Sequence, residues 1–98
     1  MNISTDKQGN ALTIALDGRL DTKTSPELEA CLEENLSGVT ELTFDLKDLE
    51  YISSAGLRVL LSAQKKMNKA GQMVVINVNE IVMEVFGVTG FVDILDIK

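Results

Sequence analysis

The chain has 98 residues, 45% of them hydrophobic and 24% charged, which are the proportions of an ordinary globular protein and far from those of a disordered one. That length builds one core and leaves no room for a second, so a single domain over residues 1–98 is expected. Fifteen acidic residues against nine basic ones give a net charge of -6, which opposes the phosphate neutralisation on which nucleic-acid binding depends and argues against such a partner.

Taken in order, Asn2 to Asp6 and Asn10 to Asp17 flank Gly9-Asn10 as two strands of a hairpin. In the second, Leu12, Ile14 and Leu16 alternate with Thr13 and Asp17, the period of a half-buried strand. Leu20 to Ser25 leads into a helix whose start carries two signals: Thr24 with Glu27 fits a capping box, and Pro26 suits a first turn. This helix is expected to run to about Leu36 and stop near Ser37-Gly38. Cys31, the only cysteine, falls on its apolar stripe with Leu28, Leu32 and Leu36 and reads as a buried spectator thiol.

Leu42, Phe44 and Leu46 mark a third strand, followed by an expected loop from Lys47 to Ile52. Ser53 or Ser54 then caps a long helix, with Leu57, Leu60, Leu61, Ala63, Met67 and Ala70 on one face and Arg58, Ser62, Lys65 and Lys69 on the other. Gly71 is its stop. Met73 to Ile76 is a continuous apolar run that reads as a central strand covered on both sides. Asn79 caps a short third helix that directs Ile81, Val82, Val85 and Phe86 inward, and Phe91 to Leu95 reads as a last strand. The order β-β-α-β-α-β-α-β predicts an α/β fold with a mixed, mostly parallel sheet of about five strands and three to four helices.

Several chemistries are excluded by composition. Histidine is absent, which removes every Ser-His or Cys-His mechanism and the commonest metal ligand. A single cysteine can make neither an internal disulfide nor a thiolate metal cluster within one chain. No apolar run reaches the roughly 18 residues of a membrane span, and the first ten residues lack the basic and apolar regions of a secretion signal. A cytoplasmic chain without membrane insertion, cofactor or metal is therefore expected. Four glutamates (Glu27, Glu29, Glu33, Glu34) crowd the first helix, whereas Arg58, Lys65, Lys66 and Lys69 lie on the second; these are either solvated faces or an electrostatic docking surface.

The most informative stretch runs from Asp45 to Leu57, where a strand and a polar segment deliver Ser53-Ser54-Ala55-Gly56-Leu57 to a helix start. Unpaired N–H groups and the helix dipole make such a terminus tolerant of an anion, so a phosphate carried by a serine there could switch charge without melting the helix. The stretch from Asp45 to Leu61 resembles the STAS family, the domain shared by bacterial anti-sigma-factor antagonists and sulphate-transporter tails. Gly18-Arg19-Leu20-Asp21, Ala70-Gly71-Gln72, and Val85-Phe86 with Thr89-Gly90 are similar to further family positions, so that almost the whole chain is covered.

The resemblance implies an antagonist that, unphosphorylated, binds an anti-sigma factor and frees the sigma factor. The anti-sigma factor is an ATP-dependent serine kinase that phosphorylates the antagonist and dissociates, and a serine phosphatase resets the cycle. By position the phosphoacceptor is Ser54, two residues before Gly56. The implied partner-binding residues are Asp21, Ser53, Ser54, Ala55, Gly56, Leu57 and Arg58, with Ser53 where many antagonists have Asp. The chain would be a substrate and binding protein, not an enzyme, and a monomer when free.

Two other readings compete. Asp21, Asp45 and Asp48 are a conceivable magnesium-binding carboxylate cluster for phosphoryl chemistry, although Gly87-Val88-Thr89-Gly90 lacks the lysine and spacing of a nucleotide loop. Alternatively, the same fold serves as an accessory subunit of a membrane transport complex, without a phosphoswitch and with the serine only a helix cap.

Overall fold

The computed structural model describes all of residues 1–98 and contains four strands, three helices and a short 3-10 turn. β1 (Asn2–Gln8) and β2 (Ala11–Leu20) are the two arms of the expected hairpin. Gly9 supplies the positive φ of its tight turn at +61°. They are followed by α1 (Ser25–Asn35), β3 (Glu41–Ile52), α2 (Ser54–Ala70), β4 (Gln72–Ile76) and α3 (Glu80–Thr89).

The strands lie in sequence order, with β1 antiparallel to β2 and the pairs β2–β3 and β3–β4 parallel. Both parallel crossovers step in the same direction, so right-handed connections place α1 and α2 on one face. The burial pattern agrees. Leu12, Ile14 and Leu16 of β2, Leu42, Phe44 and Leu46 of β3, and Met73 and Val75 of β4 are buried, while Thr13, Ala15, Thr43, Asp45, Val74 and Ile76 between them stay half-covered. Leu28 and Leu32 of α1, Leu60, Ala63 and Met67 of α2, and Val82 and Phe86 of α3 close the single core from above.

Four expectations are corrected. β3 does not end at Leu46 but continues through the expected loop to Ile52, because register shifts between Ala15 and Asp17 and between Gly18 and Arg19 reset the alternation. Burial then falls on Leu46, Leu49 and Ile52, a spacing of three that a period-2 reading does not detect.

The sheet has four strands instead of about five. Phe91–Asp93 forms a 3-10 turn, in which Asp93 N–H donates to Gly90 O (3.2 Å) and Leu95 N–H to Phe91 O (2.8 Å). Stacking of Phe91 on Phe86, with centroids 6.4 Å apart, holds this segment against α3. Only Ile97 reaches the sheet, bridging Val75.

β4 is accordingly the last strand, not a central one. Its outer side is covered by the C-terminal segment, where Val75 N–H donates to Asp96 O and Lys98 N–H donates to Val75 O, each at 2.9 Å. On α3, the Asn79 cap sets a register that buries Val82 and Phe86 but leaves Ile81 62% exposed, contrary to its expected inward position.

The cap and stop signals of α2 and the cap of α3 hold. Ser53 and Asn79 are N-caps, and Gly71 follows the last residue of α2. At Gly71 the starts of β3 and β4 pass closely: Gln72 N–H donates to Thr40 O at 2.9 Å, and a Cβ on Gly71 would run into that same carbonyl. Gly71→Ala should therefore cost about 2 kcal/mol, lowering Tm by roughly 10 °C in a domain of this size. An unchanged thermal midpoint would show that the two backbones do not pass so closely.

Cys31 is half-buried on α1, and burial pushes its thiol above the ordinary range. A thiol reagent at neutral pH should label it slowly in the native protein and rapidly in denaturant. Equal rates would place it on the outer face.

Candidate functional site

Parallel pairing brings the ends of β2 and β3 side by side, with Leu20 opposite Ile52 and Ser53 N–H donating to Leu20 O at 2.9 Å. The two chains then separate, one into the Asp21 turn and the other into α2. Ser53 has extended backbone angles, and its Oγ accepts from Gly56 N–H at 3.5 Å, so Ser53 is the cap. Ser54 is the first residue of the helix; it is exposed, and its hydroxyl is left free. Because Gly56 N–H goes to Ser53 and Leu57 N–H to Ser53 O, the unpaired amides of this terminus are those of Ser54 and Ala55. No acidic residue stands in the first turn.

Gly56 is what lets the helix start there. A Cβ at this position would lie 2.7 Å from Leu20 Cγ and 2.9 Å from Ile52 Cγ1, so the helix backbone rests directly on the last inward pair of β2 and β3. Leu57 is also buried. Of the seven residues marked by the sequence, Gly56 and Leu57 thus face the core and position the others, Asp21, Ser53 and Ala55 are half-exposed, and Ser54 and Arg58 face solvent. Between α2 and α1 lies a cleft of about 230 Å³, lined by Thr22, Ser25, Pro26 and Glu29 on one side and Ala55, Arg58 and Val59 on the other.

Asp21 organises the turn beside this terminus. Its Oδ1 accepts the N–H groups of Lys23 (3.0 Å) and Thr24 (3.1 Å), and its carbonyl accepts both the N–H and the hydroxyl of Ser25. The expected capping box is not formed. Thr24 is the N-cap residue by position, but its hydroxyl donates to Arg19 O at 2.7 Å and accepts Asp21 N–H at 2.8 Å, tying the turn back to β2.

The carboxylates of the competing magnesium reading do not converge. Asp21 is engaged in its turn, and Asp45 accepts from Asn77 Nδ2 and Lys47 N–H, both at 3.0 Å. No group of three acidic side chains has the arrangement of metal ligands. One surface feature had no sequence signal: Arg19 lies over the ring of Tyr51 at 4.3 Å, a cation–π pair on the outward side of the same strand ends. Only the register shifts of β3 bring those two residues opposite each other.

A STAS-domain family model matches residues 2–98. The chain belongs to the STAS family. Among its relatives, BtrV of Bordetella bronchiseptica, described as an anti-sigma factor antagonist, is 34% identical over 99% of this chain and 85% of its own length. The anti-sigma-B factor antagonist of Bacillus subtilis is 33% identical over 100% of this chain and 93% of its own. The fold is shared with the anti-sigma factor antagonist SpoIIAA in its unphosphorylated form, at a TM-score of 0.85 and 19% identity over 99% of this chain and 88% of that one. It is also shared with Bacillus SpoIIAA in the phosphorylated form, at 0.77 and 18% over 99% and 91%. This STAS domain is thus a member of the antagonist family, whose proteins are regulatory and not catalytic. No helix of it is long and apolar enough to cross a membrane.

Hydrogen bonds lower the pKa of two carboxyl groups: Asp21 through Thr24 N–H above all, and Asp45 chiefly through the Asn77 amide. A depressed folded-state value contributes stability that is present above the unfolded value near 3.8 and is lost as pH falls through the folded one. Resistance to urea should therefore fall progressively below about pH 4. The double variant Asp21→Asn, Asp45→Asn should start less stable at pH 7 and show a shallower acid dependence. Parallel curves for variant and wild type would remove both residues from the acid response.

Proposed function

We propose that this STAS domain is an anti-sigma-factor antagonist working as a phosphorylation-controlled protein-binding switch, with Ser54 as phosphoacceptor. The observation that carries the reading is the division of labour at the start of α2, where Ser53 caps and Ser54 stands exposed with a free hydroxyl. Unphosphorylated, the surface around Ser54, Ala55, Arg58 and the Asp21 turn binds an anti-sigma factor, and the sigma factor is released. The anti-sigma factor is also an ATP-dependent serine kinase. Ser54 Oγ attacks the γ-phosphorus of ATP, its proton passes to a base of the kinase, and ADP leaves. A serine phosphatase later hydrolyses the ester. The chain acts in the cytoplasm, as a monomer when free.

The helix has no reason to unfold on modification. A phosphate of about -1.5 to -2 charges at a helix N-terminus interacts favourably with the dipole, by about 0.3–1 kcal/mol. At an interface shaped for a hydroxyl the same group must be desolvated, and a loss of about 3 kcal/mol weakens binding more than a hundredfold.

Capture of partners from lysate on the immobilised protein, with and without Mg-ATP, followed by phosphosite mapping, tests the reading. Wild type should bind a kinase and release it with ATP. Ser54→Ala should bind and never be released, and Ser54→Asp should bind poorly. Ser53→Ala should lose about 1 kcal/mol of stability as a missing cap yet remain phosphorylatable. Phosphate on Ser53, wild-type binding by Ser54→Asp, or ATP-independent capture of transport proteins would overturn the assignment.

A further inference from the structure

Arg58 stands one helical turn after Ser54, and both are exposed. Residues four apart on a helix are neighbours, and side chains lean toward the N-terminus, so the guanidinium of position 58 reaches back over the turn that carries position 54. It is also the only cation in the first two turns of α2, whose sequence there is Ser-Ala-Gly-Leu-Arg-Val-Leu-Leu. It forms no ion pair; the one salt bridge of the molecule joins Lys98 to Asp96. Nothing in the unmodified protein therefore holds Arg58, although Glu29 faces it across the cleft.

We propose that Arg58 is the intramolecular clamp of the phosphorylated state: once Ser54 carries a phosphate, the guanidinium folds onto it and leaves the docking surface. This rests on Ser54 being the modified residue. An anion four residues N-terminal to a cation is the favourable order on a helix. Arginine presents a planar fork of donors that matches two phosphate oxygens at once, which lysine cannot do. The unpaired amides of Ser54 and Ala55 lie at the same terminus.

Phosphorylation would then change the docking surface twice, adding an anion and withdrawing the cation that the unmodified form offers a partner. Binding would then weaken without any movement of the backbone.

The test uses protein with phosphoserine installed at position 54 during translation, so that no kinase is required. The second phosphate ionisation is followed by phosphorus-31 NMR in wild type, Arg58→Gln and Arg58→Lys, all of which change only an exposed side chain. The charged groups on the elements around this terminus are Arg58 on α2, Glu29 across the cleft on α1, and Asp21 and Lys23 in the β2–α1 turn, and the last three are unchanged across the series. The wild-type value should lie about half a unit or more below that of Arg58→Gln, with Arg58→Lys between them. The Arg58 Nε–H resonance should shift between the unmodified and the phosphorylated protein. Identical phosphate titrations in wild type and Arg58→Gln, or an Arg58 resonance unmoved by phosphorylation, would overturn the clamp. Those outcomes are distinct from a failure of the Ser54 reading, which would appear as a kinase that modifies another residue and would leave these titrations as they are.

Discussion

The contact on which the rest of this molecule depends is the seat of Gly56 on the Leu20–Ile52 pair. Two parallel strands end at the same level, Ser53 N–H is bound to Leu20 O, and the first turn of α2 lands on the two side chains with no space for a Cβ. That contact fixes the rotation of α2 about its axis. Once Gly56, Leu60, Ala63 and Met67 point down, Ser54 and Arg58 have to point out. The exposure of the serine is thus a consequence of core packing, not of a flexible loop. Any side chain at position 56 would either lift the helix or rotate it, and in both cases move Ser54 relative to the Asp21 turn.

The electrostatic character of the site follows from the same geometry. Glu27, Glu29, Glu33 and Glu34 on α1 account for much of the net charge of -6, while α2 has no acidic residue at its start and four cations along its length. The two helices lie side by side with a cleft between their N-terminal ends. A partner approaching that end meets unpaired amides, a free hydroxyl and a free guanidinium beside carboxylates. Charges of this kind act mainly on encounter rate and on discrimination between partners. Much of the binding energy has to come from apolar or hydrogen-bonded contact, for which the half-exposed Ala55 and the exposed Tyr51 are at hand.

Local signals were legible where one residue makes one structural decision. Ser53 and Asn79 as caps, Gly71 as a stop, Gly9-Asn10 as a turn and the alternation of Leu12 to Leu16 are all read from neighbours within a few positions. What failed depended on distant partners. The register shifts of β3 exist because β2 is opposite, and they convert the apparent loop from Lys47 to Ile52 into strand. The segment Phe91 to Leu95 is mostly apolar and reads as a strand, but Phe91 finds Phe86 first, and the backbone closes into a turn. Thr24 has the pattern of a capping residue, yet Arg19 O and Asp21 N–H take its hydroxyl because β2 ends within reach. At the candidate site the sequence marked seven residues together but not the split between Gly56 and Leu57, which hold the helix, and Ser54 and Arg58, which it presents.

Asp21 and Arg58 differ in a way that matters for a switch. The Asp21 carboxylate is committed to two backbone N–H groups, so its negative charge is fixed in place. Arg58 has no such commitment. On the proposed reading, a fixed anion in the neighbouring turn and a mobile cation one helical turn on would respond to phosphorylation of Ser54 in opposite ways, the first by staying where it stands, the second by moving to meet it. The attraction would take the one cation in the first two turns of α2 out of the surface. A small rigid domain can in this way present two chemically different faces to its partners while its four strands and three helices stay where they are.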